Sequence, residues 1–397
     1  MKAEKINASF LNTLFEKGIS YFENWTTRKS FIWYFPLVLF LLVNFFSFAG
    51  YEDFFSSDFK DDKWDFIFQQ VHQPLKNHTD GIEGSLHIAK RAFRLSIPVI
   101  AYIFHLSNRF QIYTLQLICW YFFVVITFLL IKKLIKDNTA SLMVIVSLAF
   151  TYIGYQGVGD LDGLFDSFAI FFLLCAMYFN NFFLVLIFCL LANFTDERAF
   201  LATSMVGIWW SYSEQKEGAG SSFKFALNQV STNAIAVLLA GIIYLIIRKY
   251  LTMVYHFNAH SDAFFLGQFF GRFPTDFFGL WGCFEGLWLL VIPLLMYLFI
   301  NKRWLLLALI SFSGGVNLLA AFFVADITRS MTYLFPMFLV LIKYLPQLIG
   351  SKQELRKLTF IALLICFLYP TYNCQGSNKI LRNSPLPIRL FKILNLK

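Results

Sequence analysis

Apolar residues run along this chain in blocks, and the breaks between blocks carry its charge. The blocks fall at 31–49, 110–131, 140–155, 164–179, 182–193, 200–212, 234–250, 277–300, 304–325, 331–348 and 358–369. A helix of about 20 residues spans roughly the 30 Å of a bilayer's hydrocarbon core. The pattern therefore predicts an all-α polytopic membrane protein of about 11 transmembrane helices. It divides the chain into a cytoplasmic amphipathic segment at 1–29, an integral membrane domain at 30–370 and a basic C-terminal tail at 371–397.

In the first segment Ile6, Phe10, Leu14 and Leu11, Phe15, Ile19 recur every four residues, one face of a helix lying on the membrane surface. No small-x-small pattern follows the first block, so this segment does not read as a cleavable signal. Lys2, Lys5, Lys17, Arg28 and Lys29 precede the first block, which places the N-terminus in the cytoplasm. Residues 51–109 then form an extracytoplasmic loop. Within it, 86–106 carries Lys90, Arg91 and Arg94 ahead of Pro98, and reads as an interfacial or re-entrant helix. Counting on, Lys132, Lys133, Lys136, Lys302 and Arg303 all fall inside. The tail falls outside, against the positive-inside rule. Either it meets anionic headgroups there, or the count is off by one.

Composition supports the membrane class. Of 397 residues 14% are charged and 20% aromatic, with 51 Phe. That leaves too little polar surface to coat a soluble domain of this size. The net charge of +9 lies in residues flanking the blocks, not in a nucleic-acid groove. Five of the six Cys fall inside apolar blocks, with neither ligand nor disulfide spacing. The Phe- and Lys-rich usage suggests a bacterial inner (plasma) membrane. No P-loop, GxSxG, HExxH or Rossmann fingerprint is present.

Acid is concentrated instead. Eight of the 24 carboxylates lie between Glu52 and Glu83. Glu52 and Asp53 follow the first block directly, where a general base for an incoming hydroxyl would stand; a solvated loop acid is the plain alternative. Lys90, Arg91 and Arg94 suit a phosphate headgroup, or snorkel to lipid. Asp58, Asp61, Asp62 and Asp65 leave a divalent cation (Mg or Mn) open, against a solvated turn interleaved with lysine. Asp160, Asp162 and Asp166 punctuate a Gly-rich turn, Asp196, Glu197 and Arg198 separate two short blocks, and Asp326 with Arg329 separates two more. Charges at membrane depth mark function by default, though mutual neutralisation accounts for them too. His256 and His260 stand four apart without a third ligand.

The order of these elements resembles the GT-C superfamily of polytopic membrane glycosyltransferases. In that family acids follow the first span, interfacial helices lead to a second span ending in basic residues, and a third exits into a turn with an Asp. Here the turn is TYIGYQGVGDLDGLFDSF, with Asp162 or Asp166 the match, and NFTDERAF stands where the family has a Thr-Lys-Glu-like step. The resemblance covers 30–212. It implies inverting transfer of a hexosyl or pentosyl group from a polyprenyl-phosphate donor to a glycan or lipid acceptor, as in cell-envelope glycan assembly. It implies Asp53 or Glu52 as catalytic base. Lys90, Arg91, Arg94, Asp162, Asp166, Asp196, Glu197, Arg198 and Arg329 are the candidate substrate-binding set. The competing expectation is a transporter, or a flippase or polymerase for lipid-linked glycans.

Overall fold

Side-chain caps decide where several helices begin. The Asn108 carboxamide accepts from Gln111 N at 3.0 Å, and Asp137 accepts from Ala140 N at 2.8 Å. Asn181 accepts from Phe183 and Leu184, and Ser231 from Ala234. Each satisfies an amide that the first helical turn leaves orphaned. The computed structural model describes residues 2–56, 62–78, 91–213, 231–257, 266–324, 326–369, 372–375, 378–381 and 385–395. The Asp53 and Arg272 side chains, and Asp58, Asp61, Lys90 and His260 altogether, lie outside the described residues.

The elements run α1 (Lys2–Thr26), α2 (Phe31–Phe46), α3 (Tyr51–Phe54), α4 (Asp62–His72), α5 (Ser96–Ile103) and α6 (Arg109–Ile135). Next come α7 (Asn138–Phe150), α8 (Tyr152–Gly159), α9 (Asp166–Tyr178), α10 (Phe182–Asn193), α11 (Glu197–Ser213) and α12 (Thr232–Val254). The second half holds α13 (Leu266–Phe284), α14 (Trp288–Ile300), α15 (Trp304–Phe322), α16 (Ile327–Met331), α17 (Phe335–Ile342), α18 (Leu345–Leu348) and α19 (Lys352–Leu368). A two-stranded antiparallel hairpin, β1 (Tyr372–Gln375) and β2 (Asn378–Leu381), precedes a final helix, α20 (Leu386–Asn395).

Many helices turn large apolar side chains outward. Leu238, Ile246, Met253, Ile292, Met296, Phe299, Phe312 and Leu319 are all exposed. A soluble surface does not carry contiguous patches of that kind, whereas lipid covers them at no cost. Four helical stretches, at 109–135, 232–254, 275–300 and 304–322, are long and apolar enough to cross a membrane; α7 with α8 makes a fifth, bent by 60°. The expected count of about 11 is not confirmed. α2, α9, α10 and the 327–342 stretch are apolar but short. The block at 140–155 breaks at Thr151, whose extended backbone (ψ 168°) ends α7. Of the interfacial helix expected over 86–106, the described residues hold helix at Arg91 and over α5, with a non-helical step at 92–95 between them. α5 opens two residues before Pro98, which is tolerated in a first turn because its missing N–H would be unsatisfied there anyway.

The connections gather into two sets. One is basic, joined by Arg356 to Asp137 (3.0 Å) and Glu23 (3.2 Å), and by Lys343 Nζ donating to Tyr212 O. The other is rich in carboxylates. There Tyr113 Oη donates to Val158 O, Trp64 Nε1 to Leu161 O and Arg109 to the carbonyls of Phe54 and Ser56. The C-terminal tail belongs to this carboxylate end, since Cys374 N donates to Thr328 Oγ1 and Arg389 pairs with Glu52.

The bend between α7 and α8 depends on Gly154. A Cβ there would stand 2.4 Å from Ala149 Cα and 2.5 Å from Leu148 O, both backbone atoms that cannot yield. Gly154→Ala should cost about 1–3 kcal/mol. A thermal unfolding midpoint in detergent lowered by several degrees checks this; an unchanged midpoint contradicts it.

Candidate functional site

At the carboxylate end, four chain segments deliver three arginines and three aspartates to one place. Asp160 builds the first support. Its carboxylate accepts from the backbone N–H groups of Asp162, Leu164 and Phe165 at 3.2, 3.4 and 3.0 Å. Gly163 and Phe165 take positive φ (63° and 66°), which closes the turn and sets Asp166 as the first residue of α9. Ser96 binds the second support to the third. Its N donates to Phe194 O and its Oγ to Leu191 O, so the segment carrying Arg94 lies against the end of α10, beside Asp196. Gln70 of α4 holds the same segment through Arg91 O and Ala92 O. α16 and the turn after it supply Arg329, Ser330 and Tyr333.

Arg198 is the hub. Its Nε donates to Asp196 Oδ1 at 2.7 Å and its Nη2 to Asp196 Oδ2 at 2.8 Å. Nη2 also donates to Asp166 Oδ1 at 2.6 Å, and Nη1 to Ser330 Oγ at 2.7 Å. Its guanidinium lies 5.0 Å from the centre of the Tyr333 ring, whose hydroxyl donates to Asp166 Oδ1 at 2.7 Å. Arg94 reaches Asp196 Oδ2 at 2.8 Å. Arg329 lies 3.0 Å from Asp166 Oδ2, an ion pair whose N–H does not aim at the oxygen, and 3.5 Å from Asp326. Three positive charges face three negative ones.

Burial grades across the cluster. Asp196, Asp166 and Arg198 are 0%, 1% and 7% exposed, while the side chains of Arg94, Arg329 and Asp326 are 13–15% exposed and form the rim. Burial by itself would raise the Asp196 carboxyl. The Arg198 and Arg94 guanidinium groups override it and hold that carboxyl well below the usual carboxylate range. The rim keeps unused capacity. Arg94 Nε and Asp326 Oδ1 are buried without a hydrogen-bond partner among the described residues. The same holds for both polar atoms of Gln156 and of Asn193, and for Ser167 Oγ.

The other expected residues are placed differently. Residues 92–95, between Arg91 and α5, are not helical, and Arg94 pairs with Asp196. Glu52 is engaged by Arg389 of α20, whose Nε donates to it at 2.7 Å with Nη2 on the same oxygen. Asp162 meets Lys63 at 3.7 Å and Glu197 meets Arg248 at 3.8 Å, both partly exposed and weak. Glu197 therefore does not share Arg198 with Asp196. Among the described residues no three His, Cys, Asp or Glu side chains gather as metal ligands. Sequence reasoning missed Ser330 and Tyr333, which carry no charge and lie over 130 residues from Arg198.

Removing one partner of a buried pair strands the other charge, at a cost of about 3–5 kcal/mol. Asp196→Asn and Arg198→Gln should each lower the unfolding midpoint far more than Asp162→Asn does; equal effects would contradict the buried hub. The sign of the pH effect follows from the depressed carboxyl. Its stabilisation is complete above the unfolded value of about 3.9 and is lost as pH falls below it. Asp196→Asn should flatten the drop in unfolding midpoint between about pH 4 and pH 2. A drop as steep as in the parent chain would remove Asp196 as its source.

No protein-family model, no curated protein and no solved structure matches this chain.

Proposed function

We propose that this chain is a membrane glycosyltransferase that moves a sugar from a polyprenyl-phosphate donor to a glycan or lipid acceptor at its carboxylate end. The observation that supports this most is the rim of the cluster, where two arginines with spare donor capacity stand at the edge of an apolar bundle. A lipid-borne phosphate has the matching chemistry, with its tail in the bilayer and its charge at the boundary. Arg94 and Arg329 hold the phosphate as it leaves, exchanging part of their pairing with Asp196 and Asp326 for its oxygens. Arg198 stays paired beneath and fixes both aspartates. Glu52 is occupied by Arg389, so Asp53, its neighbour in α3, is assigned as the base that deprotonates the acceptor hydroxyl.

A second reading, a transporter or flippase for a lipid-linked glycan, is favoured by the breaks inside two membrane-crossing stretches, at Thr151 and at 285–287. Transfer and translocation separate in one assay. Purified protein in vesicles is given a labelled polyprenyl-phosphate sugar and an acceptor lipid extract. Asp53→Asn should lower transfer by about 10²–10⁴-fold, and Arg329→Gln should lower it as well, with folding checked by size exclusion. Unaltered transfer in Asp53→Asn removes the base assignment. Movement of the label across the bilayer without any transfer favours the second reading.

A further inference from the structure

The membrane-crossing stretch at 275–300 is not one helix. α13 stops at Phe284, a 3-10 turn takes Glu285–Leu287, and α14 resumes at Trp288. Glu285 adopts φ 47°, a left-handed conformation that residues bearing a side chain rarely enter and that clusters at functional sites. Its side chain is 0% exposed, and neither carboxyl oxygen has a hydrogen-bond partner among the described residues. An ionised carboxylate there would face apolar surroundings without a cation or a donor, and the cost of that far exceeds the stability of a fold.

The surroundings leave room for a very small ligand. The turn packs against α7, α13, α14 and α19. A Cβ on Gly286 would stand 2.3 Å from Ala362 O, so the break is pressed onto the backbone of α19. The nearest titratable groups are two thiols. Cys283 of α13 donates to Met331 O at 3.0 Å, and Cys366 of α19 points at Phe284 O at 3.7 Å. The remaining titratable groups of the packed elements are distant along their helices. Asp276 lies nine residues back on α13, and Tyr297 lies near the far end of α14. Lys352, Glu354, Arg356 and Lys357 occupy the first turns of α19, and Asp137, capping α7, is paired with Arg356. A metal cation needs several oxygen ligands, and no three carboxylate, thiol or imidazole groups meet among the described residues.

We propose that Glu285 is a proton-binding site inside the membrane. Its carboxyl holds a proton in this conformation and exchanges it when the break between α13 and α14 moves. This goes beyond the transfer reaction and does not depend on it. A broken helix frees backbone groups at membrane depth, the usual setting of an ion site in membrane proteins.

The test uses the full-length protein in lipid vesicles with dicyclohexylcarbodiimide, which reacts with protonated carboxyls in apolar surroundings. The carboxyl proton passes to one carbodiimide nitrogen, the oxygen bonds to the central carbon, and the acyl group then shifts to nitrogen as a stable N-acylurea. Peptide mass analysis should find the label on Glu285 at neutral pH, unchanged by added NaCl, and Glu285→Gln should lose it. Infrared spectroscopy provides a measurement independent of reagent access. The carbonyl stretch of a protonated carboxyl should be present in the parent protein, absent in Glu285→Gln, and shifted slowly in heavy water. A spectrum identical between the two proteins overturns the proposal, as does protection from labelling by sodium. A band that never shifts in heavy water removes exchange. If Glu285→Gln does not fold, labelling of the parent chain decides alone, and absence of label on Glu285 then counts against the proposal.

Discussion

Charge neutralisation in a weakly polar interior is the constraint on which the carboxylate end is built. Asp166, Asp196 and Arg198 are all buried, and none of the three would be tolerated there alone. Together they cancel, with Arg94 and Arg329 closing the balance from the rim. Attraction strengthens in such surroundings as fast as desolvation penalises, so the arrangement is all-or-none. This couples parts of the fold that are far apart in sequence. It ties together the turn before α9, the start of α11, the segment before α5 and α16.

The same constraint separates a buried hub from a partly exposed rim. Arg198 commits four of its five guanidinium N–H groups, to two aspartates and a serine, and is held over Tyr333. Arg94 and Arg329 each make fewer contacts and stand where the cluster opens. The tail adds a second tie at the same end. Arg389 links α20 to Glu52 and packs over Gly50, with 3.2 Å between its Nη2 and a Cβ placed there. Ile388, Leu390, Phe391 and Leu394 of α20 are exposed, an apolar face beside the end of α2 that suits the membrane boundary.

Broken helices are the other recurring feature. Thr151 and the turn at 285–287 each interrupt an apolar stretch that would otherwise be a plain crossing. At the first break the chain bends by 60°, and α8 leads into the Asp160 turn that sets Asp166 at the start of α9. At the second, the interruption leaves a carboxyl without a partner. In both places the chain gives up regular helix hydrogen bonding, and polar groups collect where it does so.

By itself the chain's pattern determined the membrane class, the helical make-up and the acidic character of one set of connections. Those depend on local properties: the length of an apolar run, the identity of a capping residue, the charge of a loop. It also singled out Asp166, Asp196, Arg198 and Arg329, because charge beside an apolar block is conspicuous. The pairing was not legible. Asp196 and Arg198 are neighbours in sequence, but Asp166, Arg94 and Arg329 come from segments far apart, and only packing brings them to one centre. The helix expected over 86–106 is interrupted at 92–95, and Arg94 is paired there with Asp196. Glu52 looked available because its partner stands 337 residues away. Hydropathy does not register a bend, and the backbone at Thr151 and Glu285 follows from contacts that a linear pattern does not contain.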